Sequence, residues 1–271
     1  MNTASPRRPA ALPPAPAELQ APLRAALDVA FTLTTPDAVV VGPVILPPAA
    51  EHPPTLPGRP VPRTEAGTPR VPLLVLHSAP WRQRALRRIG PLLAEFSVNA
   101  DTQARRDLAD EALLGRPVTA QWLAAGSIAY DPLGRGRTLA EHAAHLLARG
   151  YKPTEAEQGG RRVQALLELN EARMRVGADP VAAQLMLARA IELIVDFACA
   201  AAGRWLPAPA ERRAALGPVD RNAAALLDAC FQGFDLAANL RAAERLADRV
   251  LGMRTPPDWI GPRMPAATSG L

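Results

Sequence analysis

Residues 71–134 read VPLLVLHSAPWRQRALRRIGPLLAEFSVNADTQARRDLADEALLGRPVTAQWLAAGSIAYDPLG, and this stretch decides the fold. It opens on an apolar run, 72–76, framed by a proline and by His77-Ser78, the pattern of a buried strand. Residues 80–89 then place Trp81, Ala85 and Ile89 on one helical face, with Arg82, Arg84, Arg87 and Arg88 on the rest, which predicts a basic helix. A second strand is expected at about 92–98. Asp101 is a candidate cap for a helix from Thr102 that Gly115-Arg116-Pro117 breaks. A short helix at 119–125 stops at Gly126, and 127–130 runs into the turn Asp131-Pro132-Leu133-Gly134. Strands alternating with helices in this way call for a layered α/β unit.

Upstream, Leu19, Leu23, Leu27, Ala30 and Phe31 are spaced for an amphipathic helix over 17–33, and 38–41 reads as a buried strand leading to Gly42-Pro43. The composition then changes to PPAAEHPPTLPGRPVPRTEAGTPR at 47–70. Proline lacks the amide donor and fixes φ, so this segment is expected as a long exposed loop. Downstream, the pattern is helical throughout. A helix at 138–149 has Thr138 as candidate cap and Gly150 as stop, and a long one covers 155–176 across Gly159-Gly160. Asp179 followed by Pro180 marks the start of a helix reaching about 202 that is apolar nearly all round, the expected centre of a bundle. Further helices are expected near 209–216, 219–231 and 235–251.

The chain of 271 residues is 48% hydrophobic, enough for one large or two ordinary domains. No apolar run approaches the ~18 residues of a membrane span. The proline-rich start, with two arginines and no apolar core, is not a secretory signal and is expected as a disordered leader. A cytoplasmic protein is expected, with Cys199 and Cys230 as buried free thiols, although their helical positions also permit a disulfide. The net charge is +5, and Lys152 is the single lysine among 31 basic residues. Arginine suits phosphate, but in so alanine- and proline-rich a chain the charge alone does not indicate nucleic acid.

Three groups of residues carry a family resemblance. Gly115-Arg116-Pro117, Leu123-Ala124-Ala125-Gly126 and Tyr130-Asp131-Pro132-Leu133-Gly134 resemble the G-R-P…A-x-G-x-x-x-Y-D-x-x-G stretch of the nucleotidyltransferase superfamily, the polymerase-beta-like fold shared with aminoglycoside nucleotidyltransferases. Gly203-Arg204-Trp205-Leu206-Pro207-Ala208-Pro209 resembles the G-R-W-x-P-x-P turn of the helical domain that accompanies it. Ala94-Glu95-Phe96-Ser97-Val98-Asn99 is similar to the family strand that bears its third carboxylate. The resemblance covers about 17–251 and is strongest between 71 and 134. It implies an α+β protein, a mixed sheet with flanking helices followed by an all-α helical bundle. The implied parts are a leader at 1–16, a nucleotidyltransferase-like domain at 17–137 containing the loop at 47–70, a bundle at 138–252 and an irregular tail at 253–271.

The family's chemistry needs two carboxylates spaced D-x-D to hold magnesium, a third from the next strand, and a G-S-x-x-R-G loop around the phosphates. Matching the family's L-L-V run to Leu73-Leu74-Val75 puts Arg70 and Pro72 at the D-x-D positions. The phosphate loop reads Gly42-Pro43-Val44, without the serine. Glu95 is the carboxylate that survives. It is the candidate catalytic residue, beside the plainer reading of an acid facing Arg70 or Arg88 on a half-exposed strand. Gly42, Arg70 and Arg88 are candidate nucleotide-binding residues, with no metal ligand and no cofactor expected unless magnesium serves an active enzyme. The resemblance thus implies a family member that has lost catalysis and acts in binding or regulation. One alternative is an active enzyme drawing on Glu95 with Asp37 or Glu65; another is a basic protein that contacts nucleic acid. The partners considered are a nucleotide or phosphate ligand, nucleic acid, and a second copy of the chain, with no membrane. His142 and His145, beside Glu141, have metal-like spacing but suit a helix surface better.

Overall fold

In the computed structural model, residues 17–33, 39–42, 70–131, 133–258 and 260 are described below. The first helix, α1, covers Ala17–Thr32, and β1 covers Val39–Gly42. Among the described residues four more strands follow in the first half of the chain: β2 (Arg70–His77), β3 (Gln83–Ile89), β4 (Leu92–Ala100) and β5 (Ser127–Tyr130). Between β4 and β5 lie α2 (Asp101–Leu113) and α3 (Val118–Ala125), and α4 (Arg135–Arg149) comes after β5.

The strands form one mixed sheet in the order β3-β4-β2-β1-β5. β2 and β4 are parallel, and the other three pairings are antiparallel. The three expected strands around 39–41, 73–76 and 93–98 are therefore neighbours, as their apolar runs predict. Alternation along each strand sends side chains to opposite faces. Val71, Leu73 and Val75 of β2 join Ala94, Phe96 and Val98 of β4 in a core with Leu23 and Leu27 of α1. Leu74 and Leu76 point the other way, into a second core with Leu108, Leu123 and Leu139 of α2, α3 and α4. Among the described residues the sheet is thus covered by one helix on one side and three on the other.

Residues 83–89 are a strand, not the expected helix. Ile89 pairs with Leu92 across Gly90-Pro91, and Gly90 has φ +56°, the positive angle that the first residue of a type II′ hairpin turn requires. The arginines disguise the pattern because β3 is an edge strand, whose exposed positions tolerate charge on both faces. Two expected caps also differ. Asp101 is the first residue of α2, and its carboxylate pairs with Arg135 instead of capping the helix through its side chain. Thr138 lies inside α4, with its hydroxyl donating to the Gly134 carbonyl, while Asp131 accepts the Arg137 amide.

The chain divides into two compact units, Met1–Arg149 and Gly150–Leu271. The division falls after α4 rather than at 137/138, because Leu139 and Ala143 are buried against α2 and α3. In the second unit every described regular element is helical: α5 (Glu155–Arg175), α6 (Pro180–Ala201), a short 3-10 turn at Pro209–Glu211, α7 (Arg212–Leu216), α8 (Arg221–Ala229) and α9 (Leu236–Leu251). Thr154 and Glu157 close a capping box on α5, and Gly159-Gly160 leaves that helix unbroken. Asp179 caps α6 with Pro180 in its first turn, as expected. Only residues 194–200 of α6 are buried all round; Val181 and Leu185 in its first half are exposed. Among the described residues no helix is long and apolar enough to cross a membrane. The expected leader at 1–16, loop positions 47–69 and the end of the tail lie outside the described residues, as do Asp37 and Glu65.

Cys199 and Cys230 are buried free thiols. Burial pushes Cys199 up to about 11, with Asp196 adding to the shift, and Cys230 up to about 12. A thiol reacts as its thiolate, so both should resist a disulfide reagent at pH 8. Labelling of the native protein is expected to be at least ~100-fold slower than that of the chain in denaturant. Comparable rates would contradict the burial of both groups.

Candidate functional site

The sheet register brings the expected site positions together. Pro72 of β2 pairs with Glu95 of β4, and Arg70 pairs with Leu93 two residues earlier. On the other side of β4, Leu86 of β3 pairs with Glu95, and Arg88 pairs with Leu93. Gly42 ends β1, one residue beyond the Val41–Leu74 pair. Gly42, Arg70, Glu95 and Arg88 therefore share one end of the sheet. Glu95 is half-buried there, and Arg88 is exposed. An open groove beside Glu95 is lined by Arg84, Leu86 and Leu93. This end of the sheet presents one strand-borne carboxylate beside a proline and basic residues. Among the described residues no cluster of three or more histidine, cysteine or acidic side chains is arranged to hold a metal, and His142 and His145 form none with Glu141.

A larger cleft, of about 520 Å³, opens on the same face of β4 farther along the strand, where Ser97 and Asn99 form its floor. Arg82, Gln83 and Arg84 from the start of β3 make one wall. Asp107 and Glu111 of α2 make the other, closed off by Val118, Thr119 and Trp122 of α3. Two hydrogen bonds build this corner: Glu111 accepts the Thr119 amide at 2.6 Å and the Thr119 hydroxyl at 2.9 Å. The amide is one of those at the start of α3 that no turn of helix satisfies, so Glu111 acts as a cap supplied from another helix. Burial raises the Glu111 carboxyl above its ordinary range. The two Thr119 hydrogen bonds oppose that, Asp107 reinforces it, and Arg84 opposes it from across the cleft. Asp107 accepts from Gln103 at 2.7 Å.

Next to this cleft, sharing Arg82, is a hollow of about 420 Å³ lined by Trp81, Thr102, Gln103 and Arg106. Its shape depends on His77, which is fully buried and accepts the Ala79 amide on Nδ1 at 3.1 Å. The Trp81 ring lies on the imidazole with centroids 4.0 Å apart. The chain is thereby held against the end of β2 and delivers Arg82 to the cleft wall.

The chain is similar to the crystal structure of a nucleotidyltransferase-like protein from Exiguobacterium sibiricum 255-15. That likeness extends over 86% of this chain and 75% of that one, with 14% identity and a TM-score of 0.44. No protein-family model matches the sequence, and no curated protein does.

Reading the sequence did not find the cleft. Its residues come from β3, β4, α2 and α3 and have no common spacing. The one local signal was the arginine pair Arg82 and Arg84, which the helical reading of 80–89 placed on the basic side of a helix.

Proposed function

We propose that this is a nucleotidyltransferase-fold protein that binds a phosphate-bearing ligand, in a binding or regulatory role, without magnesium-dependent nucleotidyl transfer. The observation that carries the reading is the pairing of Pro72 with Glu95. It supports the sequence matching in which Arg70 and Pro72 stand at the two metal-acid positions and Glu95 at the third. One carboxylate cannot supply the shell of oxygen ligands that magnesium requires on a triphosphate. An arginine at the first position repels the metal and attracts the phosphates themselves. With Pro43 in place of the loop serine, the hydroxyl donor is missing as well.

The reading predicts how binding responds to conditions. A nucleoside triphosphate should bind weakly, no more tightly with magnesium than with a chelator, and less as salt rises from ~0.05 to ~0.2 M, because salt screens the attraction between arginine and phosphate. Calorimetric titration of ATP under these four conditions tests it. Binding that tightens by about ten-fold or more on adding magnesium would overturn the reading.

A further inference from the structure

The cleft between β3 and α2 plays no part in the reading above, and the inference drawn from it stands separately. Its long walls carry opposite charge, with Arg82 and Arg84 on the strand side and Asp107 and Glu111 on the helix side. Among the described residues no ion pair joins the two walls. The groups still sense one another, since Arg84 acts on the Glu111 carboxyl through space. Opposed charges held apart by open space leave each wall to be neutralised by whatever fills the cleft.

We infer that the cleft binds a small zwitterionic molecule, its carboxylate or phosphate held by Arg82 and Arg84 and its ammonium group facing Asp107 and Glu111. A plain anion of the same size would meet two carboxylates on the far wall, and a plain cation two guanidinium groups. Only a ligand with opposite charges at its ends is matched on both sides. The rest of the lining agrees with a polar guest: Ser97 and Asn99 offer neutral hydrogen-bonding groups along the floor, and Trp122 offers one face for an aliphatic linker. At about 520 Å³ the cleft falls in the range of small-molecule sites. A single phosphate would leave most of it to water.

The carboxylate and phosphate versions are separated by two sets of probes. Calorimetry with the full chain would compare 6-aminohexanoate with hexanoate and hexylamine, and phosphoethanolamine with inorganic phosphate and ethanolamine. At least one zwitterion should bind about ten-fold more tightly than either of its halves. Which one does so identifies the anionic group. Arg84→Gln and Asp107→Asn should each erase about ten-fold of that affinity. Arg84 is exposed, and Asp107 is half-buried with a hydrogen bond from Gln103 of its own helix that the amide oxygen of Asp107→Asn can still accept, so these variants leave the fold intact; Glu111 is less suitable because it also holds Thr119. If neither zwitterion outbinds its halves, or if both variants leave the preference unchanged, the inference is wrong.

Discussion

Phe96→Ala should cost about 3–5 kcal/mol of stability, because it empties the centre of the sheet's α1-side core. Phe96 is fully buried on β4, between Leu73 of β2 and Ala85 of β3 in the register. It shares its core with Leu23 and Leu27 of α1. Neither strand can move inward to refill the space, because each is fixed by its hydrogen-bonded neighbours, so the cavity persists and its lining loses dispersion contacts. Urea unfolding followed by circular dichroism would measure the loss. A change below about 1 kcal/mol would show that Phe96 is not central to that core.

The second large effect is expected in the helical unit. Asp196 and Arg212 are both buried, with the carboxylate 3.6 Å from the guanidinium Nε, and Arg212 also donates to Glu192 at 2.8 Å. Removing Asp196 strips Arg212 of its buried counter-charge and leaves it with the partly exposed Glu192, at a cost of about 3 kcal/mol, the lower end of the range for a broken buried pair. Asp196→Ala should therefore destabilise by that amount. The double variant Asp196→Leu, Arg212→Met should recover most of the loss, because apolar side chains remove both desolvation penalties. Glu192 is partly exposed and can turn to water. A double variant as unstable as Asp196→Ala would mean that the pair contributes more than the charges it neutralises.

Both effects lie in parts of the molecule that differ in how plainly the sequence announces them. The strand of Phe96 was legible because apolar Leu92, Ala94, Phe96 and Val98 recur at every second position. Asp179-Pro180 likewise marked the start of α6 without ambiguity. β3 was not legible as a strand. On an edge, burial no longer imposes a two-residue pattern, and four arginines in ten residues fit a helix surface equally well. The turn residues Gly90-Pro91 held the missing information, since a glycine between two short β-capable runs is a hairpin signal. The Arg212–Asp196 pair was hidden for another reason: its members belong to different helices, and sequence spacing does not reveal which helices face each other. The same limit hid the cleft, whereas Glu95 could be singled out because its strand carries a recognisable local pattern.

The most direct test of the account is a transfer assay. The full chain would be incubated with magnesium and each of the four nucleoside triphosphates, together with small alcohol and amine acceptors, while pyrophosphate release is followed. With Arg70 and Pro72 beside Glu95, release should not exceed that of the protein-free control, and Glu95→Ala should leave it unchanged. Robust magnesium-dependent transfer, abolished by Glu95→Ala, would contradict the account and make Glu95 a working catalytic carboxylate.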